Sequence, residues 1–462
     1  MSKIRTRMLV ALRSAHWTRG NAPAVAEQRV RTTTLISDFH TVAFMYLPGA
    51  LEAVPAGRLT LREEGGELLT TLFGYGKNYL ERHNAVPVDP TDLPLQGAVP
   101  GSESHRNEPT NGLSMFGAIR DAMPDSWGRR VIENRLAVPP NSLPESEYLR
   151  LAGSNRAGAL DFREEHTSPP SSGTLSKAAD LQYLLSAADK IQRGEKVPEN
   201  LTQIFEAGSS LGGMRPKVMV VNEGIQYIAK FPTLSDPFNI PLIERASLEL
   251  ARRCGLTVPR TGILELPDGR SVMLIERFDR KVQPKGWSRV HMVSALTMLG
   301  LHESESRNSS YGAISDRISH VAAIGRAGPD RRELFARMVF NILISNDDDH
   351  LRNHAFLWSE KQRGWALSPL YDVVPKPQIA TQRYLHLAIG TQGRLATLDN
   401  AASEANRFGL QDDEAAHIIE RISMQAREWR SVFEELNVPS AECDKIMTAF
   451  RRPSKGSLSY LR

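Results

Sequence analysis

The sequence predicts an α+β fold of two lobes, with a mixed, β-rich N-terminal lobe and an all-helical C-terminal lobe. Short apolar runs separated by Gly, Pro and Asp recur between residues 41 and 100, which is typical of small strands. From about residue 290 onward, apolar residues recur at helical spacing, as in 334–345 and 412–436. With 462 residues and 41% apolar composition, the chain has room for two or three domains.

Four segments are expected along the chain. They are a basic extension over residues 1–37, an N-terminal region over 38–165, a small-lobe-like region with a glycine-rich loop over 166–285, and a helical C-terminal lobe over 286–462. The extension holds seven Lys or Arg against one acid, Glu27, and the whole chain carries +4, so the net charge belongs to this arm. It could bind nucleic acid, act as a targeting peptide or precede the true start of the domain, but its composition favours a disordered, functionally neutral extension.

Two helical patterns are predicted, over 113–135 in the N-terminal region and over 177–193 in the small-lobe-like region. A loop rich in Ser and Pro at 167–173 lies between them.

A small, flexible and basic segment follows at residues 207–217, which read AGSSLGGMRPK. Glycines let backbone N–H groups approach phosphate oxygens, and Arg215 and Lys217 add positive charge, so the pattern indicates a phosphate-binding loop. The Gly-Lys-Ser/Thr ending of a Walker A loop is missing. Taken alone, such a segment is more often a flexible turn.

The next strand, predicted over 225–231, places Lys230 at the end of an apolar run. Fourteen residues on, Glu244 opens a helical pattern over 243–251. A strand Lys paired with a helix Glu is the arrangement by which kinases fix the lysine that contacts nucleotide phosphates. Each residue alone would more often be a surface charge.

Residues 272–280, VMLIERFDR, have the pattern of a buried strand that runs into a charged turn. In a two-lobed phosphotransferase this is the place of the hinge, where Glu276 and Phe278 would offer backbone groups and a ring to adenine. An ordinary edge strand with charged flanks is the alternative.

Asp348 is the only one of three consecutive aspartates that stands five residues before an Asn, Asn353. Phosphoryl transfer needs a carboxylate for the hydroxyl nucleophile, an amide oxygen for one metal ion and a second carboxylate, here Asp372, for the other. A strand, turn and strand over 354–367 would return the chain so that Asp372 faces Asn353. The alternative is that the acidic run 347–349 caps a helix or lines a solvated turn.

In this order the segments resemble the HipA family of toxin serine/threonine kinases. The resemblance covers roughly residues 40–450 and is carried by residues 208–217, 228–232, 276–280, 348–353 and 367–372, with a further similar segment at 116–130.

The resemblance implies an ATP- and Mg²⁺-dependent protein kinase with Asp348 and Lys230 as catalytic residues, Asn353 and Asp372 as metal ligands and Glu244 as the partner of the lysine. The residues implied in ATP binding are Ser209, Ser210, Gly212, Gly213, Lys217, Lys230, Glu276, Phe278 and Asn353. His350 and Arg352 are expected to orient the loop.

The resemblance also implies a toxin that phosphorylates a protein connected with translation, which in the best-known members is an aminoacyl-tRNA synthetase. The expected partner is a small helix-turn-helix antitoxin, HipB-like, through which the kinase would meet operator DNA. Family members phosphorylate a serine of their own glycine-rich loop. Ser210 matches that position, but the loop departs in composition from that of the best-known member, so neighbouring Ser209 is a second candidate.

The two cysteines, Cys254 and Cys443, cannot build a disulfide framework or a zinc site, which favours a reducing, cytoplasmic location. No stretch approaches the roughly 18 apolar residues of a membrane span, so no membrane association is expected.

Two other functions stay open at this point. One is an antitoxin- and DNA-associated regulatory protein with weak or no kinase activity, whose effect would survive loss of Asp348. The other is a metal-dependent phosphohydrolase that uses Asp348, His350 and Asp372 as ligands. It would need a third strong ligand near Asn346 to Asp349, and it would release free phosphate without labelling protein.

Overall fold

The computed structural model describes residues 36–101, 106–171, 176–198, 204 and 213–450. Residues 36–450 belong to one compact unit by their contacts. Within the described part, no helix is both long and apolar enough to cross a bilayer.

The first sheet is built from long antiparallel strands in the order β3-β2-β1-β4. Its strands are β1 (Ile36–Tyr46), β2 (Ala53–Glu64), β3 (Glu67–Tyr75) and β4 (Leu160–Arg163). The turn between β2 and β3 is Gly65-Gly66, and both glycines have positive φ, +61° and +89°. Two such residues in a row form the tight turn whose twist matches antiparallel strands. The small strands expected over 41–100 are therefore fewer and longer than their spacing indicates.

Short helices follow this sheet: α1 (Lys77–Leu80), α2 (Gly117–Asp121), α3 (Ser126–Leu136), α4 (Glu145–Leu151) and α5 (Leu181–Gln192). The single helix expected over 113–135 is divided in two, because Pro124 cannot continue a helix and Asp125 then caps the start of α3. The helix expected over 177–193 is confirmed as α5.

The second sheet has the order β5-β6-β7-β9-β8. Its strands are β5 (Ser176–Lys177), β6 (Lys217–Asn222), β7 (Ile225–Lys230), β8 (Thr261–Glu265) and β9 (Ser271–Glu276). Helix α6 (Ile240–Arg253) begins at Asn239, whose side chain accepts a hydrogen bond from the Leu242 N–H at 3.2 Å, and it ends before Gly255, which has φ +80°. The strand and helix predicted around Lys230 and Glu244 are confirmed.

The C-terminal part is mostly helical, as expected. After the hairpin β10 (Arg280–Gln283) and β11 (Gly286–Arg289), its elements are β12 (Met292–Ser294), α7 (Ala295–Met298), α8 (Tyr311–Val321), α9 (Ala327–Ile344), β13 (Ala355–Ser359), β14 (Gly364–Leu367), α10 (Leu398–Ala402), α11 (Asp412–Arg427), α12 (Trp429–Glu435) and α13 (Ser440–Ile446). The helix expected over 412–436 is interrupted at Glu428, which separates α11 from α12.

The expectation of an all-helical C-terminal lobe is wrong, because this part contains the three-stranded sheet β12-β13-β14. The hairpin of β13 and β14 confirms the strand, turn and strand predicted over 354–367, and Phe356 pairs with Leu367 across it. Strand β12 joins its free edge, with Val293 opposite Phe356. Without β12, the outer edge of β13 would carry unpaired backbone N–H and C=O groups, and β12 supplies their hydrogen-bond partners.

The described residues form two apolar cores, which stabilise the fold. The larger one runs from the first sheet through α6 to the C-terminal helices. The smaller one lies between α3, α5 and the second sheet, and the buried Trp127 of α3 is its largest side chain.

Candidate functional site

Lys230, at the end of β7, lies between two carboxylates that come from distant parts of the chain. Its Nζ is 2.5 Å from Glu244 Oε1 and 2.9 Å from Asp372 Oδ1. Helix α6 places Glu244 beside Lys230, and the Glu244 side chain is only 2% exposed. The strand Lys and the helix Glu singled out in the sequence therefore meet, and the second metal-ligand candidate joins them.

Lys230 and Asp372 stabilise each other's charged form, whereas burial raises the pKa of Glu244 above its usual value. Burial works against the charge of Lys230, but Asp372 and Glu244 outweigh it and raise the pKa of the lysine above its usual value. Conversely, the Lys230 ammonium is the main cause that lowers the pKa of Asp372 below its ordinary range. Lys230 is therefore a fixed cation and Asp372 a fixed anion at neutral pH.

The backbone holds Asp372 in an uncommon conformation, with φ +60°. Left-handed backbone costs a residue with a Cβ some energy, and Asp and Asn tolerate it best after Gly. The preceding residue, Tyr371, donates its hydroxyl to the carbonyl of Arg352 at 2.7 Å. This hydrogen bond ties the segment of Asp372 to the loop that contains Asn353.

The three consecutive aspartates have different environments. Asp349 is buried, and its Oδ2 accepts hydrogen bonds from the Tyr311 hydroxyl at 2.5 Å, from Asn341 Nδ2 at 2.7 Å and from the buried ring of His354, 3.0 Å away. These contacts anchor the loop to α8 and α9. Asp349 therefore has a structural role.

Asp348 differs from its neighbour in that its side chain is exposed to solvent. Its carbonyl oxygen accepts a hydrogen bond from Asn353 Nδ2 at 3.0 Å, which closes the loop across the five-residue spacing. Arg352 of the same loop forms an ion pair with Glu303 at 3.0 Å. The contacts of Asp349 and Arg352 thus fix the loop, while the Asp348 carboxylate remains accessible to solvent.

The donor atoms of Asn353 and Asp372 fit a magnesium ion. Because Asn353 Nδ2 is used by the Asp348 carbonyl, the amide oxygen is the atom that can bind a metal. Mg²⁺ takes oxygen ligands, and it is usually bound by one or two protein groups together with water and substrate phosphates. Among the described residues, no group of three or more His, Cys, Asp or Glu could form an all-protein metal cage.

The glycine-rich loop is only partly visible. Ser209, Ser210 and Gly212 lie outside the described residues. Gly213 is exposed with φ +100°, whereas Lys217, at the start of β6, is buried. Arg215 was expected to add positive charge for phosphates. Its guanidinium instead forms a two-bond ion pair with Asp236, at 2.9 and 2.7 Å.

The predicted hinge contains a buried charge cluster. Asp279 is paired with Arg277 at 2.7 Å and with Arg280 at 2.9 Å, and these arginines also donate to the carbonyl of Arg156. Burial opposes the charge of Asp279, but the two guanidinium groups lower the pKa of its carboxyl well below the usual range. Hydrogen bonds from Arg277 and Arg280 therefore connect the predicted hinge segment to the N-terminal region.

Glu276 and Phe278 are the sequence neighbours of Arg277, one of the residues of that cluster. Phe278 is half-buried, and its ring centroid is 5.6 Å from that of Tyr371, the neighbour of Asp372. The side chain of Glu276 lies 3.7 Å from Arg260, and its N–H donates to the Arg260 carbonyl at 2.9 Å. Phe278 thus contacts the residue next to Asp372, whereas Glu276 contacts Arg260, the residue before β8.

Sequence reasoning missed the supporting residues of the site. Asp349 was part of the acidic run, but its partners Tyr311 and Asn341 lie on two helices upstream, and no local pattern links them. Asp125 and Trp127 lie in the segment 116–130, which was singled out only by resemblance.

This chain is similar in sequence to known protein families and relatives. A model of the HipA-like C-terminal domain matches residues 209–429, and a model of the HipA N-terminal domain matches residues 50–163. Two curated relatives carry the name "Putative kinase". One, from Haemophilus influenzae, is 26% identical over 231 residues, or 45% of this chain and 63% of the relative. The other, Y4dM of Sinorhizobium fredii, is 25% identical over 317 residues, or 66% of this chain and 70% of the relative.

A solved structure has the same fold. A chain of the Shewanella oneidensis MR-1 complex of HipA, HipB and operator DNA superposes with a TM-score of 0.61 at 17% identity, and the match covers 91% of this chain and 94% of that chain. The two domain models both describe HipA, and together they cover more than two thirds of the residues. This chain therefore belongs to the HipA family.

Proposed function

We propose that this protein is an ATP- and Mg²⁺-dependent serine/threonine kinase and the toxin of a HipA/HipB-like module. The observation that carries the proposal is the contact of Lys230 with both Glu244, at 2.5 Å, and Asp372, at 2.9 Å. A kinase needs this lysine–glutamate pair together with a metal-binding aspartate in one place. Asp372 is far in sequence from Lys230 and Glu244, so its contact with Lys230 is a property of the fold.

In the proposed mechanism, Asp348 orients the substrate hydroxyl and accepts its proton as the hydroxyl oxygen bonds to the γ-phosphorus of ATP. The bond between that phosphorus and the β–γ bridging oxygen breaks in the same step, which releases ADP. Lys230 contacts the nucleotide phosphates, and Glu244 holds the lysine in place. Asn353 and Asp372 would bind Mg²⁺, which supplies neutralisation of phosphate charge. Positioning and electrostatics provide most of the rate enhancement, since little covalent chemistry is asked of the protein.

The toxin role rests on family membership. The structurally similar HipA chain of Shewanella oneidensis was solved with HipB and operator DNA. By analogy, we propose a cytoplasmic protein with a small helix-turn-helix antitoxin as partner, which would bring it to DNA. The substrate would be a translation-related protein, with an aminoacyl-tRNA synthetase as the first candidate.

Regulation by self-modification belongs to the same proposal. A phosphate on Ser210 or Ser209 would carry nearly two negative charges and compete with ATP phosphates for the same donors. Glu276 and Phe278 would border the adenine, and Gly212, Gly213 and Lys217 would face the phosphates.

Expression in a bacterial host tests the toxin role. The wild-type chain should arrest growth, and Asp348→Asn should not. Cells that express the wild-type chain together with the antitoxin should grow again. Growth arrest that persists in Asp348→Asn would instead favour the regulatory protein without kinase activity. The phosphohydrolase alternative has no support in the described residues, because a third strong ligand is not found there.

A further inference from the structure

The N-terminal region reaches the phosphate end of the proposed nucleotide site through the start of α3. Asp125 caps this helix, and its Oδ1 accepts a hydrogen bond from the Trp127 N–H at 3.3 Å. The same N–H lies 3.3 Å from the Gly213 carbonyl, and the indole Nε1 donates to the Lys217 carbonyl at 2.8 Å. Trp127 thus holds both ends of the segment 213–217.

The Asp125 carboxylate also lies near the charged end of Lys217. A Cβ placed on Gly213 would be 1.9 Å from Lys217 Nζ and 3.7 Å from Asp125 Oδ2, so the ammonium packs on the glycine. The two charged groups are consequently within about 6 Å of each other, a distance at which opposite charges favour one another's ionised form. Gly213 is the residue that leaves room for this approach.

Lys217 needs such a partner because it is buried, with 7% of its surface exposed. Burial lowers the pKa of Lys217 below its usual value, and Asp125 is the strongest influence in the opposite direction. Burial raises the pKa of Asp125 to about 6, while the Lys217 and Arg352 cations oppose the rise. Each group therefore sustains the charge of the other in a poorly hydrated place.

We propose that Asp125 is a positioning residue of the nucleotide site: it holds the Lys217 ammonium against Gly213, so that the N-terminal region completes a site built by the rest of the chain. The inference rests on the proposed function, because Lys217 matters only if phosphates bind beside it. It assigns a role to the segment 116–130, which no other part of the mechanism uses.

A double-mutant cycle on the full chain tests this proposal. The probe is a non-hydrolysable ATP analogue with Mg²⁺, and its dissociation constant is measured by calorimetry. Asp125→Asn should weaken binding about tenfold or more, as expected when one partner of a buried charge pair is removed. Lys217→Met should weaken it to a similar degree, and the double variant should bind no more weakly than Lys217→Met alone, because Asp125 acts through that lysine.

The matched control is Glu145→Gln, which removes a carboxylate of α4 that pairs with Arg129 of α3 at 2.7 Å. It should bind the analogue like the wild type. Asp125→Glu retains the charge and should recover part of the affinity. If Asp125→Asn does not fold, Asp125→Glu replaces it in the cycle, with a loss of a few fold that disappears in the Lys217→Met background.

The outcomes separate this inference from the function on which it rests. A wild-type chain that does not bind the analogue would overturn both. Normal binding by the wild type, together with unchanged affinity in Asp125→Asn or with additive losses in the double variant, would overturn the role of Asp125 alone.

Discussion

Neutralising Glu244 is the change that probes the proposed site most specifically. In Glu244→Gln, the carboxylate 2.5 Å from Lys230 Nζ becomes an amide in a place where the glutamate side chain is 2% exposed and the lysine side chain 12% exposed. Removing one partner of a buried pair costs about 3–5 kcal/mol when the other charge is left alone. Here Asp372 remains 2.9 Å away but is half-exposed, so about half of that cost is expected, roughly 2 kcal/mol.

The same variant should lose activity. Without the Glu244 carboxylate, Lys230 keeps its ion pair with Asp372, and this stronger pairing competes with metal binding by Asp372. A loss of about 2 kcal/mol in transition-state stabilisation corresponds to a roughly thirtyfold fall in kcat/KM. Stability is measured by urea unfolding and activity by transfer of labelled phosphate from ATP.

Glu249→Gln is the matched control, since Glu249 lies on the same helix and pairs with Arg252 and Arg253 near the surface. Exposed ion pairs contribute little, so this variant should change stability by less than about 1 kcal/mol and leave activity intact. The reasoning is refuted if Glu244→Gln is as stable and as active as Glu249→Gln.

Three further predictions concern single residues. Asp349→Asn should lower the free energy of unfolding in urea by about 2–3 kcal/mol, because three hydrogen bonds to a buried carboxylate are weakened. Asp348→Asn should lower it by less than about 0.5 kcal/mol, because this side chain is exposed. Equal losses in the two variants would contradict their different burial. Asp372→Asn and Asp372→Ala should both be inactive, but the alanine variant should be about 1 kcal/mol less stable because of φ +60°, and equal melting would remove the argument from backbone strain. Burial lowers the pKa of His291 to about 4, so the unfolded chain binds more protons than the folded one below the ordinary histidine value of roughly 6.5. Stability should therefore fall by up to about 3 kcal/mol between pH 6.5 and 4, and this component should be absent in His291→Gln, which does not titrate; an unchanged slope in that variant would contradict it.

Local patterns were sufficient for the elements that carry the central residues. The apolar run before Lys230 and the helical spacing after Glu244 correspond to β7 and α6. Each signal is a pattern of apolar residues within one short stretch of chain, which is the kind of information that a single sequence provides. The five-residue spacing of Asp348 and Asn353 likewise corresponds to one closed loop.

Contacts between distant segments could not be predicted in this way. The burial of Asp349 depends on Tyr311 and Asn341, which two different helices bring together, so the acidic run looks uniform in sequence although only Asp349 is anchored. The approach of Asp125 to Lys217 joins residues of two regions that were treated as separate. The strand β12 was missed because three residues show no measurable alternation.

The central claim is that this chain transfers phosphate from ATP to a protein hydroxyl. The most direct measurement is intact and peptide mass spectrometry of the purified chain after incubation with ATP and Mg²⁺, beside Asp348→Asn and Asp372→Asn. The account predicts a mass increase of one phosphate on Ser210 or Ser209 in the wild type and none in either variant. Phosphate that appears equally in both variants, or a wild-type chain that neither binds ATP nor gains phosphate, would contradict it.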